Sequence, residues 1–435
     1  MKNSNAYHIM VKPTGSVCNL DCQYCFYLEK EKLYPGKKNW AMPEETLKQF
    51  IREYIESQDV PTINFTWQGG EPTLLGVDYF KKVVEIQKEY AGGKDIFNAF
   101  QTNGVLLNDE WCELFSDNNF LIGVSIDGPA ELHDRHRYFK GKQSSFEKVT
   151  AGIELLKKHN VEFNTLTCVQ RDNSNHPLKV YEFLKEIGSK YMQFIPIVER
   201  EDNAPSNSDL KLLSPNSKQH IEVSDWSVQP LQYGIFLSSI FDKWVRNDVG
   251  KYFVQLFEVT LESWVGMKPG LCVFGETCGK AMALEHNGDL YSCDHYVYNE
   301  NKLGNIIEDS LRNLVDSEKQ IKFGNDKRDT LPVYCKKCDF KFACNGECPK
   351  HRFIKTPDGQ DGLNYLCAGY KHFLEHVDPY MRFMAIELRN NRGVLSVMNF
   401  ANEKDKGFPN FGIDRNAECF CGSGEKFKKC CGRIS

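Results

Sequence analysis

The chain has 435 residues, 41% of them apolar and 26% charged, with a formal net charge of −5. That is enough apolar material for a large core and roughly two to three domains, and the acid excess argues against a general nucleic-acid or membrane-surface binder. No apolar run reaches the ~18 residues that a membrane span needs. The polar start, Met1 to Asn5, leads into Tyr7 to Val11, too short for a signal-peptide core. A cytoplasmic protein is expected.

The first 200 or so residues alternate short β-rich runs with amphipathic ones. Strands are expected at Ala6 to Val11, Thr62 to Trp67, Ile96 to Gln101, Phe120 to Ile126, Val161 to Val169 and Tyr191 to Ile197. Helices are expected from Pro43-Glu44-Glu45, over Val77 to Tyr90, from Asn108-Asp109-Glu110, and over Phe146 to His159 and His176 to Ile187. Repeated β–α units imply an α/β fold with a parallel sheet covered by helices. Six strands are too few for a closed eight-stranded barrel, so a partial barrel is expected, with the ligand at the carboxyl ends of its strands. A polar stretch from 200 to 230 reads as a connection. Leu231 to Trp244, Tyr252 to Trp264 and residues 370 to 400 read as helical, and Asn402 to Asn416 as a linker.

The outlier is the cysteine count of 17. In a reducing cytosol such a chain more often binds metal than forms disulfides. Three lie at 18, 22 and 25, eight from 272 to 367, and four at 419, 421, 430 and 431. Cys112 and Cys168 stand alone and read as small buried hydrophobes.

Cys18-x3-Cys22-x2-Cys25 follows the first strand. Three thiolates can ligate three irons of a four-iron cluster and leave the fourth iron open for a substrate or cofactor. A zinc site would usually show a fourth ligand nearby, and no His or Cys follows Cys25 closely. Gly69-Gly70-Glu71-Pro72 follows the second strand, Gln101-Thr102-Asn103-Gly104 the third, and Ser125-Ile126-Asp127-Gly128 the fourth. Polar turns end most strands, but here they succeed one another at the same sheet edge.

The cysteine loop, Tyr24 before its last cysteine and the β/α repeats resemble the radical S-adenosylmethionine (SAM) superfamily. The resemblance implies that Gly69, Gly70 and Glu71 meet the SAM amino group, that Arg137 pairs with its carboxylate, and that Ser125, Tyr24 and Val198 complete the pocket. The second cysteine group runs Cys272-x5-Cys278-x14-Cys293, then Cys335-x2-Cys338-x5-Cys344-x3-Cys348, then Cys367. Spacing alone allows two four-iron clusters or two zinc ions. The pattern resembles the SPASM domain of peptide-modifying radical SAM enzymes. That resemblance implies one auxiliary cluster on Cys272, Cys278, Cys293 and Cys348, and another on Cys335, Cys338, Cys344 and Cys367.

With Cys25-Phe26-Tyr27, Gln68 before the glycines, and Cys293-Asp294, the chain from about residue 7 to 380 resembles the anaerobic sulfatase-maturating enzymes. The resemblance implies oxidation of a cysteine or serine of an unfolded or nascent sulfatase, in a Cys/Ser-x-Pro-x-Arg motif, to Cα-formylglycine. It implies SAM, three [4Fe-4S] clusters and a reducing electron donor, with Asp294 as the base and Tyr27 and Gln68 on the peptide. Rival readings are another SPASM peptide-modifying enzyme, such as a thioether cross-linker, and a non-enzymatic iron–sulfur or zinc scaffold.

Cys419-x-Cys421-x8-Cys430-Cys431 places four thiols beside Lys426, Lys428 and Lys429, a pattern for one structural zinc. It resembles the SEC-C motif of the bacterial preprotein-translocase ATPase, which implies contact with an export chaperone. The expected organisation is a radical SAM core over 1–230, a SPASM domain over 231–400, a linker over 401–416 and the zinc motif over 417–435.

Overall fold

The computed structural model describes residues 6–36, 39–201, 211–217, 219, 222–405, 425–426 and 429. The zinc-motif cysteines Cys419, Cys421, Cys430 and Cys431 lie outside the described residues.

The strand β1 spans His8–Lys12, with Ile9 and Val11 fully buried on one face and His8, Met10 and Lys12 on the other. The same alternation shapes β2 (Thr62–Trp67), β3 (Asp95–Thr102), β4 (Leu121–Ser125), β5 (Phe163–Val169) and β6 (Tyr191–Pro196). Successive members of this set pair in parallel, each with its predecessor. The crossover helices are Glu44–Glu56, Val77–Tyr90, Asp109–Asp117, Phe146–Lys158 and Pro177–Glu186. Their starts follow the chain chemistry. Pro43 precedes two acids in the first turn of Glu44–Glu56, and the Asn108 side chain accepts from Trp111 N at 3.0 Å.

The sheet is larger than six strands. Its ten strands run in the order β10-β9-β8-β1-β2-β3-β4-β5-β6-β7. The two-residue β7, Phe253–Val254, adds in parallel to β6. At the other edge β8, Ala281–Glu285, lies parallel to β1, with His8 opposite Ala281 and Lys12 opposite Glu285. Next come the antiparallel strands β9, Asp289–Tyr291, and β10, Lys302–Asn305. An unpaired β1 edge would expose a row of backbone donors and acceptors, and the cysteine-rich segment covers it. The division expected at residue 230 falls between β6 and β7 of this one sheet.

The helix Pro230–Asn247 packs on the helix Cys367–Arg389 at two glycines. A Cβ on Gly234 would lie 2.4 Å from Gly369 O, and one on Gly369 would lie 2.0 Å from Pro230 O. The last helix, Val397–Asp405, runs five residues into the stretch expected as linker. Its apolar Val397, Phe400 and Ala401 are buried, which holds the chain in register beyond residue 400. No helix among the described residues is long and apolar enough to cross a membrane.

Gly369→Ala should force the two helices apart at a cost of about 1–3 kcal/mol. Denaturant unfolding checks this, and an unchanged midpoint would show that the contact yields freely.

Candidate active site and auxiliary cysteine sites

The loop after β1 carries Cys18, Cys22 and Cys25, and the glycines after β2 hold it. Gly70 N donates to Gly15 O at 2.8 Å and Glu71 N to Val17 O at 2.8 Å. A Cβ on Gly70 would sit 1.9 Å from Val17 O, so only glycine fits. Gly69, at φ 141°, passes equally close, with an added Cβ 2.9 Å from Gly15 O. The close approach at these glycines is therefore to the cysteine loop itself. The buried Glu71 carboxylate accepts from Thr73 N at 3.1 Å, Thr73 Oγ1 at 2.6 Å, Thr102 Oγ1 at 2.8 Å and Asn103 N at 2.7 Å. Its visible work is to tie the end of β2 to the end of β3. Gln68 donates to Met10 Sδ at 2.8 Å on the inner face of the sheet.

The loop thiols lie close enough to influence one another. Burial pushes the Cys22 thiol up, Arg137 opposes that, and the Cys25 and Cys18 sulfurs add to it. Burial likewise pushes Cys18 up to about 12. Such groups stay protonated until an electropositive partner takes the sulfur, as iron would.

Beside them Arg137 Nη1 donates to the Tyr24 hydroxyl at 3.0 Å, and that hydroxyl donates to the buried Asp127 carboxylate. Arg137 Nε has no protein partner, nor do Thr14 Oγ1, Ser16 Oγ, Asn19 Nδ2, Asn164 Oδ1 and Gln170 Nε2. Buried polar atoms left without partners cost free energy, so this cluster at the cysteine loop and strand ends suits a polar ligand such as SAM. Ser125 Oγ accepts from Gln101 Nε2 at 2.9 Å, and Val198 lies buried beyond β6. Asp127 and Gln170 were not singled out by sequence. Asp127 stands in a strand-end turn that also reads as ordinary loop chemistry.

The register of β1 with β8 builds a second set of charges. Lys12 forms an ion pair with Asp294, in the turn after Cys293. The Lys12 ammonium also stands 4.3 Å from the Tyr27 ring centroid. The Tyr27 hydroxyl donates to Glu285, whose other oxygen lies 3.1 Å from His286 Nδ1. Burial pushes the Asp294 carboxyl up, but Lys12 and then His295 outweigh it and bring it below the usual carboxylate range. A carboxylate held ionised in a buried site is equipped to receive a proton. Sequence reading missed Lys12, Glu285 and His286. The one signal was a lysine ending an alternating strand on its polar face.

The eight remaining thiols fall into two sets. Cys293 senses Cys348 and Cys272, and Cys278 senses Cys272. Cys344 senses Cys367 and Cys335, and Cys367 senses Cys335 and Cys338. Cys348 thus turns away from Cys344 to face Cys272. Among the described residues no three His, Cys, Asp or Glu side chains converge tightly enough for a single metal ion. Thiolates on a four-iron cluster each bond a different iron and stand further apart, which these sets suit.

Family models match at residues 13–184 (Radical SAM superfamily), 272–339 (iron–sulfur cluster-binding domain) and 415–433 (SEC-C motif). The chain is 51% identical over 391 residues to a serine-type anaerobic sulfatase-maturating enzyme of Bacteroides thetaiotaomicron, covering 90% of this chain and 94% of that one. The chain belongs to the anaerobic sulfatase-maturating enzymes. A cysteine-type member from Clostridium perfringens is 32% identical over 88% of this chain and 98% of its own. The solved structure of native anSMEcpe with bound AdoMet and Cp18Cys peptide superposes with a TM-score of 0.76 at 31% identity, covering 88% of this chain and 99% of that one. Streptococcus suis SuiB bound to S-adenosylmethionine, at 14% identity and TM-score 0.55, shares the fold. This sulfatase-maturating enzyme is accordingly a radical SAM enzyme with an iron–sulfur cluster-binding domain.

Lys12→Met would leave Asp294 buried without its cation, at an expected cost of about 3–5 kcal/mol. Thermal unfolding of the variant beside Lys12→Met/Asp294→Asn measures it. The double variant should recover much of the loss, and equal melting of all forms would show that the pair does not matter.

Proposed function

We propose that this enzyme oxidises one serine or cysteine side chain of a sulfatase polypeptide to Cα-formylglycine, in the cytoplasm and without oxygen. The reading is carried by 51% identity to a serine-type sulfatase-maturating enzyme across 90% of the chain. Converting a hydroxyl- or thiol-bearing Cβ to an aldehyde removes two electrons and two protons. When bound, SAM and the cluster at Cys18, Cys22 and Cys25 supply a radical that takes one hydrogen atom from Cβ, and clusters on the two auxiliary thiol sets give the second electron an exit.

The chain's own residues do the rest. Arg137, Ser125 and Val198 line the SAM site, while Tyr24, Gly69, Gly70 and Glu71 hold the loops that form it. Asp294 takes the hydroxyl or thiol proton, and Lys12 keeps it ionised beforehand. Tyr27 and Gln68 form part of the wall against the peptide. The tail binds one zinc through Cys419, Cys421, Cys430 and Cys431, and brings the enzyme, through an export chaperone, to sulfatases that are still unfolded. A reducing donor supplies the first electron.

Anaerobic reconstitution should give about 12 irons per chain. Incubation with SAM, reductant and a Cys/Ser-x-Pro-x-Arg peptide should then yield an aldehyde that a hydrazine traps and mass spectrometry locates. Failure to cleave SAM under these conditions would sink the assignment. Asp294→Asn should retain iron and SAM cleavage but form formylglycine about 10²–10⁴-fold more slowly; undiminished product would remove Asp294 as the base. Deleting residues 410–435 should leave peptide turnover intact and lower modification of full-length sulfatase in cells, whereas equal modification would count against recruitment.

A further inference from the structure

Two cations without a carboxylate partner among the described residues stand at the auxiliary thiol sets. Lys327, on the helix Glu318–Asp329, is 1% exposed. Its ammonium donates to Cys272 O at 2.6 Å and Val273 O at 2.8 Å, and it senses the thiols of Cys348 and Cys278. Arg352 senses Cys348 of one set and Cys344 and Cys335 of the other. The carboxylate that both also sense, Glu347, is turned toward His351 Nδ1 at 3.0 Å and toward Asn364.

Arg352 also grips the connection between the sets. Only Asn345, Gly346 and Glu347 separate Cys344 from Cys348, and all three have positive φ, at 46°, 72° and 51°. Such backbone is strained for the two residues that are not glycine. Arg352 donates to every carbonyl of this stretch, at 2.7 Å to Asn345 O, 2.9 Å to Gly346 O and 3.2 Å to Glu347 O. Its remaining arm donates to Lys327 O at 2.5 Å. The guanidinium thus fixes the turn that sends Cys348 away from Cys344, and its charge reaches both sets.

A buried cation without a counter-ion is costly, and a cluster held by four thiolates is anionic. We propose that Lys327 and Arg352 are the counter-cations of the auxiliary iron–sulfur sites, Lys327 for the set containing Cys272 and Arg352 for both, and that they raise the potentials at which these sites accept an electron. The proposal rests on the cluster assignment made above. The sign follows from charge: a cluster becomes more negative on reduction, so a fixed cation stabilises the reduced form. Lys327 is a positioning and tuning residue, since it reaches the electron only through the cluster.

The test uses the full chain, reconstituted anaerobically, as Lys327→Met, Lys327→Gln and Lys327→Arg beside the unaltered protein. Iron per chain and an EPR-monitored redox titration are read for each. The Met and Gln variants should keep their iron and move one auxiliary signal to a more negative midpoint, while the Arg variant stays near the unaltered value. Loss of iron in Met and Gln but not in Arg would also support the proposal, because charge is then required for assembly. An unmoved midpoint with iron retained overturns it, as does iron loss in all three variants, which would make the role one of packing. An unaltered chain holding only about four irons overturns the cluster assignment itself, a separate failure.

Discussion

The parallel pairing of β1 with β8 is the constraint on which the site depends. One strand delivers the three-cysteine loop from its end. The other delivers Glu285 and, through β9, Cys293 and Asp294. Because Lys12 stands opposite Glu285, one buried ammonium lies between two carboxylates, paired with Asp294 and stacked over the Tyr27 ring whose hydroxyl serves Glu285. Buried ion pairs of this kind add little net stability, since desolvation consumes most of the Coulombic gain. Their effect here is geometric. They fix a proton acceptor from the cysteine-rich region against the first strand of the sheet, with no mobile loop in between.

The cysteines pose the opposite electrostatic problem. Burial pushes the Cys344 and Cys348 thiols up to about 12, so the metal-free region holds neutral sulfurs. Loading iron must expel those protons, and the free energy of ligation then enters the folding balance. This fits the architecture of residues 270 to 367, where regular elements are short and the helix Glu318–Asp329 is the longest. Lys327 and Arg352 sit in that region as charges awaiting a partner, and their backbone hydrogen bonds hold them there meanwhile.

Much of the core could be read from sequence because its signals are local. Thr62–Trp67 and Val77–Tyr90 have the expected bounds, and Asn108 caps its helix as a capping residue should. The strand β8 was not legible. Ala281-Met282-Ala283-Leu284-Glu285 contains no β-branched residue and favours helix by propensity, and its pairing with β1 overrides that preference. Nor could spacing show that Cys348 turns from Cys344, because three left-handed residues make that turn. The Lys12–Asp294 pair joins distant parts of the chain, where no periodicity connects them. The glycines after β2 were singled out correctly as points of close approach, but what approaches them is backbone of the cysteine loop.

The inner face of the sheet bears on the kind of substrate it can admit. Closed barrels fill their interior with side chains. Here the inward residues at the amino-terminal ends remain open, with Phe97 50%, Leu121 39% and Tyr191 49% exposed, whereas their outward neighbours Phe100, Ile122 and Met192 are buried. At the carboxyl-terminal ends the inward residues become polar: Lys12, Gln68, Gln101 and Ser125. An open sheet graded from apolar to polar along its strands suits a polypeptide segment. The segment's apolar backbone neighbourhood can lie against the aromatic end while a single hydroxyl or thiol projects toward the charged end. A small polar metabolite would leave the exposed aromatic end without a partner, and a folded domain could not reach the strand termini. The topology therefore favours a flexible chain, which agrees with a modification made before the target has folded.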